Sequence, residues 1–110
     1  MKSDGFLDDV QIREKILHHL KNDTYRLTKH AIEEQNNANM DLQDVLHVLK
    51  NGTHEKSKTL LDNFTWKYAI RGKTEELQEA RIIIAFKDQL IIITVIELWK
   101  KKQKHSYTKA

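Results

Sequence analysis

Two β-branched runs, Arg81 to Phe86 and Leu90 to Leu98, are apolar at both odd and even positions and are separated only by Lys87-Asp88-Gln89. A strand with one wet face alternates polar and apolar residues, so runs apolar on both faces belong to central strands, here an antiparallel pair joined by a tight turn. Upstream, Phe64, Trp66, Tyr68 and Ile70 alternate with Thr65, Lys67, Ala69 and Arg71. That period of two predicts a strand whose aromatic face meets the core. The polar stretch Gly72 to Glu79 turns the chain, and a further strand is expected near Glu55 to Leu61.

The first half has a helical period instead. Phe6, Val10, Ile16, Leu17 and Leu20 fall on one broad arc and predict a helix between about Phe6 and Asn22. Tyr25-Arg26-Leu27 is short and extended in character, after which Thr28 can cap a helix running to about Gln35, followed by a loop at Asn36 to Asn39. Asp41 caps a third helix with apolar residues at Leu42, Val45, Leu46 and Leu49, and Gly52 stands where a left-handed C-cap is expected. His47 lies across that helix from the apolar stripe and is expected to face solvent. Helices followed by strands predict an α+β domain: two or three N-terminal helices packed on one face of a roughly four-stranded antiparallel sheet. It divides into a helical extension at 1–23, a core domain at 24–98 and a basic tail at 99–110.

A single domain of 110 residues is long enough to bury its own core. There is no cysteine, and so no disulfide framework or thiolate chemistry. The N-terminal stretch lacks the apolar segment of a signal peptide, and the run Leu90 to Ile96 is too short to cross a bilayer, so a cytoplasmic protein away from membranes is expected. The three sequons at Asn22, Asn51 and Asn63 carry little meaning without a secretory signal. Residues 53–110 hold 12 Lys/Arg against 7 Asp/Glu, whereas residues 1–52 hold 7 against 9. The excess culminates in Lys100, Lys101 and Lys102, a cluster that attracts phosphates or an acidic partner, although charged chain ends are often only solvated.

No HExxH, phosphate-binding glycine loop, G-x-S-x-G elbow or EF-hand occurs. His30 and Glu34 have the i, i+4 spacing of zinc ligands, but no third ligand stands at sensible spacing, so neither metal nor cofactor is expected. Three polar residues interrupt apolar patterns: Arg71 beside Gly72, Arg81 at the start of Ile-Ile-Ile-Ala-Phe, and Thr94 within Leu-Ile-Ile-Ile-Thr-Val-Ile. Taken singly, each has an ordinary structural account as a strand end or a good strand former.

Together with the capped segment Thr28-Lys29-His30-Ala31-x-Glu33 and the helix ending Asn51-Gly52, the elements Arg71-Gly72, Arg81-Ile82-Ile83-Ile84-Ala85 and Ile92-Ile93-Thr94-Val95 resemble, over about residues 25–96, a bacterial family catalogued as domain of unknown function 4258. That family looks similar to the RelE-like and BrnT-like toxins, small ribonucleases with helices on a twisted antiparallel sheet. The resemblance implies the same fold and metal-independent endoribonuclease chemistry. It also implies RNA as partner, including RNA on the ribosome, and an acidic antitoxin. Such cleavage needs a base for the 2′-OH, an acid for the leaving 5′ oxygen and cations for the charge on phosphorus. His30, Arg71 and Arg81 supply those residue types. A first-turn histidine beside the positive helix end suits a neutral base. Thr94 can hydrogen-bond a phosphate oxygen, and Lys29, Lys73, Lys100, Lys101 and Lys102 can hold the RNA backbone. The sequence departs from the family at Glu34, where the family usually shows arginine. A carboxylate there repels phosphate, which leaves a catalytically inactive RNA- or protein-binding module on the same fold as the alternative.

Overall fold

The computed structural model describes residues 6–99. The elements run α1 (Asp9–Lys21), β1 (Tyr25–Leu27), α2 (Lys29–Asn37), α3 (Leu42–Asn51), β2 (Thr53–His54), a 3-10 turn (Lys56–Lys58), β3 (Leu60–Asp62), β4 (Thr65–Lys73), β5 (Glu79–Phe86) and β6 (Leu90–Trp99). The fold is α+β. The sheet order is β1-β6-β5-β4-β2, with β3 paired to β4, so among the described residues the sheet has six strands rather than four. It is also mixed: β1 runs parallel to β6, pairing Tyr25 with Leu90 and Leu27 with Ile92. Three residues are too few to display a period of two, which is why Tyr25–Leu27 reads only as extended.

The strand expected near Glu55 to Leu61 is mostly a 3-10 turn, with β2 ending before it at His54 and β3 beginning only at Leu60. The Glu55 N–H donates to the Ala69 carbonyl at 2.8 Å, and the Ala69 N–H donates to the Thr59 hydroxyl at 3.0 Å. A side-chain oxygen thus takes the place of a ladder carbonyl, and the intervening residues are free to coil into the 3-10 turn.

Register fixes which residues meet the helices. Tyr68 opposes Ile84, which opposes Ile92, and Ile70 opposes Ile82, which opposes Val95. All six are buried in one cluster with Ile12 and Ile16 of α1, Ala31 of α2, and Val45, Val48 and Leu49 of α3. The three helices therefore cover this face. Helix α1 is part of the core, although its buried positions are Ile12 and Ile16, while Val10 and Leu17 are exposed. Its approach is held by the Leu7 N–H donating to the Tyr68 hydroxyl at 3.1 Å and by Phe6 set edge-on against Trp66.

The helix starts follow the caps. The Thr28 hydroxyl accepts from the Ala31 N–H, while Asp8 with Gln11 and Asp41 with Asp44 form reciprocal capping boxes. Helix α2 extends through Asn37, two residues beyond the expected end. Gly52 differs from expectation. Its backbone is extended, with φ −83° and ψ −176°, not left-handed. A Cβ there would lie 2.6 Å from both the Arg71 and Val48 carbonyl oxygens. Glycine is required by the close approach of the α3 end to β4, not by handedness.

Phe64 also leaves the face assigned to it. Asn63 and Phe64 have φ of 54° and 64°, and Asp62 pairs with Thr65 around them. They form a two-residue hairpin turn of the type that needs positive φ at both positions. Phe64 is 85% exposed, and the core alternation begins only at Trp66, itself partly buried. Replacing the fully buried Ile82 with alanine should cost about 2–5 kcal/mol. Phe64→Ala should change stability by less than about 0.5 kcal/mol, as surface substitutions do. Chemical denaturation measures both, and a large loss at Phe64 would contradict the turn assignment.

Candidate functional site

The sheet face away from the helices carries the rows Ala69–Ile83–Thr94 and Arg71–Arg81–Ile96. Arg71 and Arg81 are thus direct cross-strand neighbours, an arrangement that like charges destabilise unless a counterion intervenes. Glu55, from the segment after β2, is that counterion. One of its carboxylate oxygens accepts from Arg81 Nε at 2.6 Å, and the other from Arg81 Nη2 at 3.1 Å and Arg71 Nη1 at 3.2 Å. Arg71 Nε donates to Glu79 at 2.8 Å. Chiefly through the Arg81 hydrogen bonds, the Glu55 carboxyl is held below the usual glutamate range, and burial only partly opposes this. Both guanidiniums are shifted upward, Arg81 mainly by Glu55 and Arg71 mainly by Glu79. The carboxylate is ionised at neutral pH and presented between two cations.

Glu55 does not stand out in the sequence because it sits 26 residues from Arg81, within a stretch that reads as an ordinary strand. The available signal is indirect: two arginines placed opposite each other on antiparallel strands call for a carboxylate.

His30 occupies the first turn of α2, which is fastened to the rim of β6. The Thr28 N–H donates to the Ile92 carbonyl at 3.0 Å and its hydroxyl to the Ile93 carbonyl at 3.1 Å. Ile93 is the extra residue of a bulge, where the β5 partner jumps from Thr94 to Ile92. β1 stops pairing at Ile92, and beyond it Glu34 continues the edge, accepting from the Val95 N–H at 2.8 Å. The other Glu34 oxygen lies 3.0 Å from His30 Nε2. The Glu34 carboxylate thus satisfies a backbone donor at a sheet edge. The structure brings Arg71, Arg81 and Thr94 onto one face, Thr94 one row from Arg81, and places His30 at the outer rim of β6, with that strand between it and Arg81 on β5. Lys29 is exposed beside His30, and Lys73 is exposed at the end of β4. Lys100, Lys101 and Lys102 lie outside the described residues.

A second polar chain joins α1 to the same region. The His54 side chain is 2% exposed, with Nδ1 2.8 Å from Asp9 and Nε2 2.8 Å from the Thr59 hydroxyl. Thr59 in turn donates to the Glu55 carbonyl at 3.2 Å. The His54 hydrogen bond is the main cause holding Asp9 below the usual aspartate range. Among the described residues no group of three or more His, Asp or Glu side chains is arranged to hold a metal ion, and no helix is long and apolar enough to cross a membrane.

Two stability predictions follow from these contacts. Because the folded Glu55 carboxyl titrates below its ordinary value of 4.5, its contribution is complete at neutral pH and is lost as pH falls below that value through the folded one. Glu55→Gln should therefore destabilise by about 1–3 kcal/mol at neutral pH, and the gap to wild type should narrow on acidification. Glu34→Arg should cost about 1–3 kcal/mol at all these pH values, because the Val95 N–H loses its acceptor. Denaturant titrations across pH check both, and a Glu55→Gln gap that does not narrow would contradict the ion-pair account.

No curated protein and no solved structure matches the chain. The family described as Domain of unknown function (DUF4258) matches residues 27–97, which is most of the sheet with α2 and α3, and the chain belongs to that family.

Proposed function

We propose that the chain acts on RNA as a metal-independent endoribonuclease of the RelE-like and BrnT-like toxin class, with Glu55, Arg81 and Arg71 at its centre. The observation that carries this reading is an ionised carboxylate held between two guanidiniums on the face the helices leave uncovered. Glu55 takes the proton of a ribose 2′-OH as the 2′ oxygen attacks phosphorus. The bond from phosphorus to the 5′ oxygen breaks, leaving a 2′,3′-cyclic phosphate; the 5′ oxygen takes a proton from water, and the hydroxide left behind takes back the proton held by Glu55. Arg81 and Arg71 exchange part of their carboxylate contacts for phosphate oxygens, so they remain paired while charge builds on phosphorus. Thr94 offers a hydroxyl to the same phosphate. Lys29, Lys73, Lys100, Lys101 and Lys102 hold flanking backbone, and an acidic antitoxin covers this basic surface. His30, at the rim of β6, is the alternative base.

A second reading, a non-cleaving RNA- or protein-binding module, is favoured by one observation: both arginines already have carboxylate partners in Glu55 and Glu79. Cleavage assays with and without ribosomes separate the two. For an enzyme, Glu55→Gln should lower cleavage by about 100- to 10,000-fold and Arg81→Ala by about 100- to 1,000-fold. Activity should survive EDTA, and induction should arrest growth. Loss at His30→Ala but not at Glu55→Gln would move the base to the β6 rim. Intact RNA under both conditions, normal growth and retained salt-sensitive RNA binding would establish the binding module instead.

A further inference from the structure

The helix-free face has a second feature at its other end. Ligand-binding clefts hold on the order of 300–1,000 Å³, and a groove of about 530 Å³ opens beside the β3–β4 turn. Its floor is apolar, formed by Ala85, Ile91 and Ile93, and its rim carries Arg26, Lys67 and Lys87 against a single carboxylate, Asp62. Asp62 is bonded to Lys67 at 2.7 Å. Arg26 and Lys87 are exposed and form no ion pair among the described residues.

Phe64 stands at the same groove. The second position of this hairpin turn favours glycine, because φ is positive there. A bulky side chain in that conformation is an outlier, and at 85% exposure its ring gains nothing from the core. Neither turn propensity nor packing accounts for phenylalanine here.

We propose that this groove binds a single-stranded RNA segment, with phosphates on Arg26 and Lys87 and one unstacked base against Phe64. The proposal rests on the RNA reading above and names the form of RNA. An exposed ring stacks on any base that is free of its neighbours, whereas the bases of a duplex are closed to it. The groove also leads toward the Glu55 cluster. Ala85 lies four residues along β5 from Arg81, roughly 13 Å at strand spacing, with Ile83 and Thr94 between them on the same face. A strand seated in the groove is thereby aimed along the sheet at the paired arginines.

The test is fluorescence anisotropy of the full chain with a labelled, non-cleavable 2′-O-methyl oligouridine and, separately, with an RNA duplex. Phe64→Ala should weaken single-strand binding by about 5- to 150-fold and leave duplex binding unchanged, while Phe64→Trp restores it. An unchanged unfolding midpoint shows that the Phe64 variants fold as the wild type does. The double variant Arg26→Ala with Lys87→Ala should lower the salt slope of single-strand binding by about 1.4, two phosphates at roughly 0.7 each. Single-strand binding untouched by all these substitutions would overturn the groove and leave the RNA reading standing, as would an equal loss for both RNA forms. Failure of the wild type to bind either RNA at low salt would overturn both.

Discussion

A strand that is apolar on both faces cannot lie bare at the rim of a sheet, and β6 is such a strand. β5 protects one of its edges along its whole length. On the other edge β1 reaches only Ile92, and α2 supplies what is missing: Thr28 bonds the carbonyls of Ile92 and Ile93, and Glu34 receives the Val95 N–H. Covering the edge in this way sets where α2 lies. It also places His30 at the rim, and it gives Glu34 a backbone duty that an arginine cannot perform, since arginine has no acceptor.

Much of the fold is legible in residue periods and caps. The period of two in Trp66, Tyr68 and Ile70, the double-sided apolar runs of β5 and β6, and the capping residues Thr28 and Asp41 locate strands and helices closely. Three features are not legible, each for a physical reason. The pairing of Tyr25–Leu27 with β6 is a long-range parallel contact made by a segment too short to show a pattern. Phe64 continues the alternation in sequence but sits in a turn, which only its backbone angle reveals. Gly52 looks like a helix cap, and its need for a missing Cβ appears only when β4 is packed against it.

The candidate site divides along the same line. Arg71, Arg81 and Thr94 share a face as soon as antiparallel pairing is assumed. Glu55 becomes visible only when the chain folds it back across β4, and His30 parts from the arginines because α2 docks on the far edge of β6. The polar chain from Asp9 through His54 and Thr59 to the Glu55 carbonyl ties α1, which lies outside the family match at 27–97, to the segment that presents Glu55. Whatever the arginine pair does, its counterion is held partly by a helix that precedes the family domain.

We propose that the reacting part of the RNA lies on the face free of helices, with the first turn of α2 meeting at most flanking backbone. Amide NMR of the full chain, titrated with a short non-cleavable single-stranded RNA, tests it most directly. Shifts should concentrate at Glu55, Arg71, Arg81 and Thr94 and around Phe64, Lys67 and Lys87. Shifts confined to Lys29, His30 and Ala31, with those residues unmoved, would contradict it.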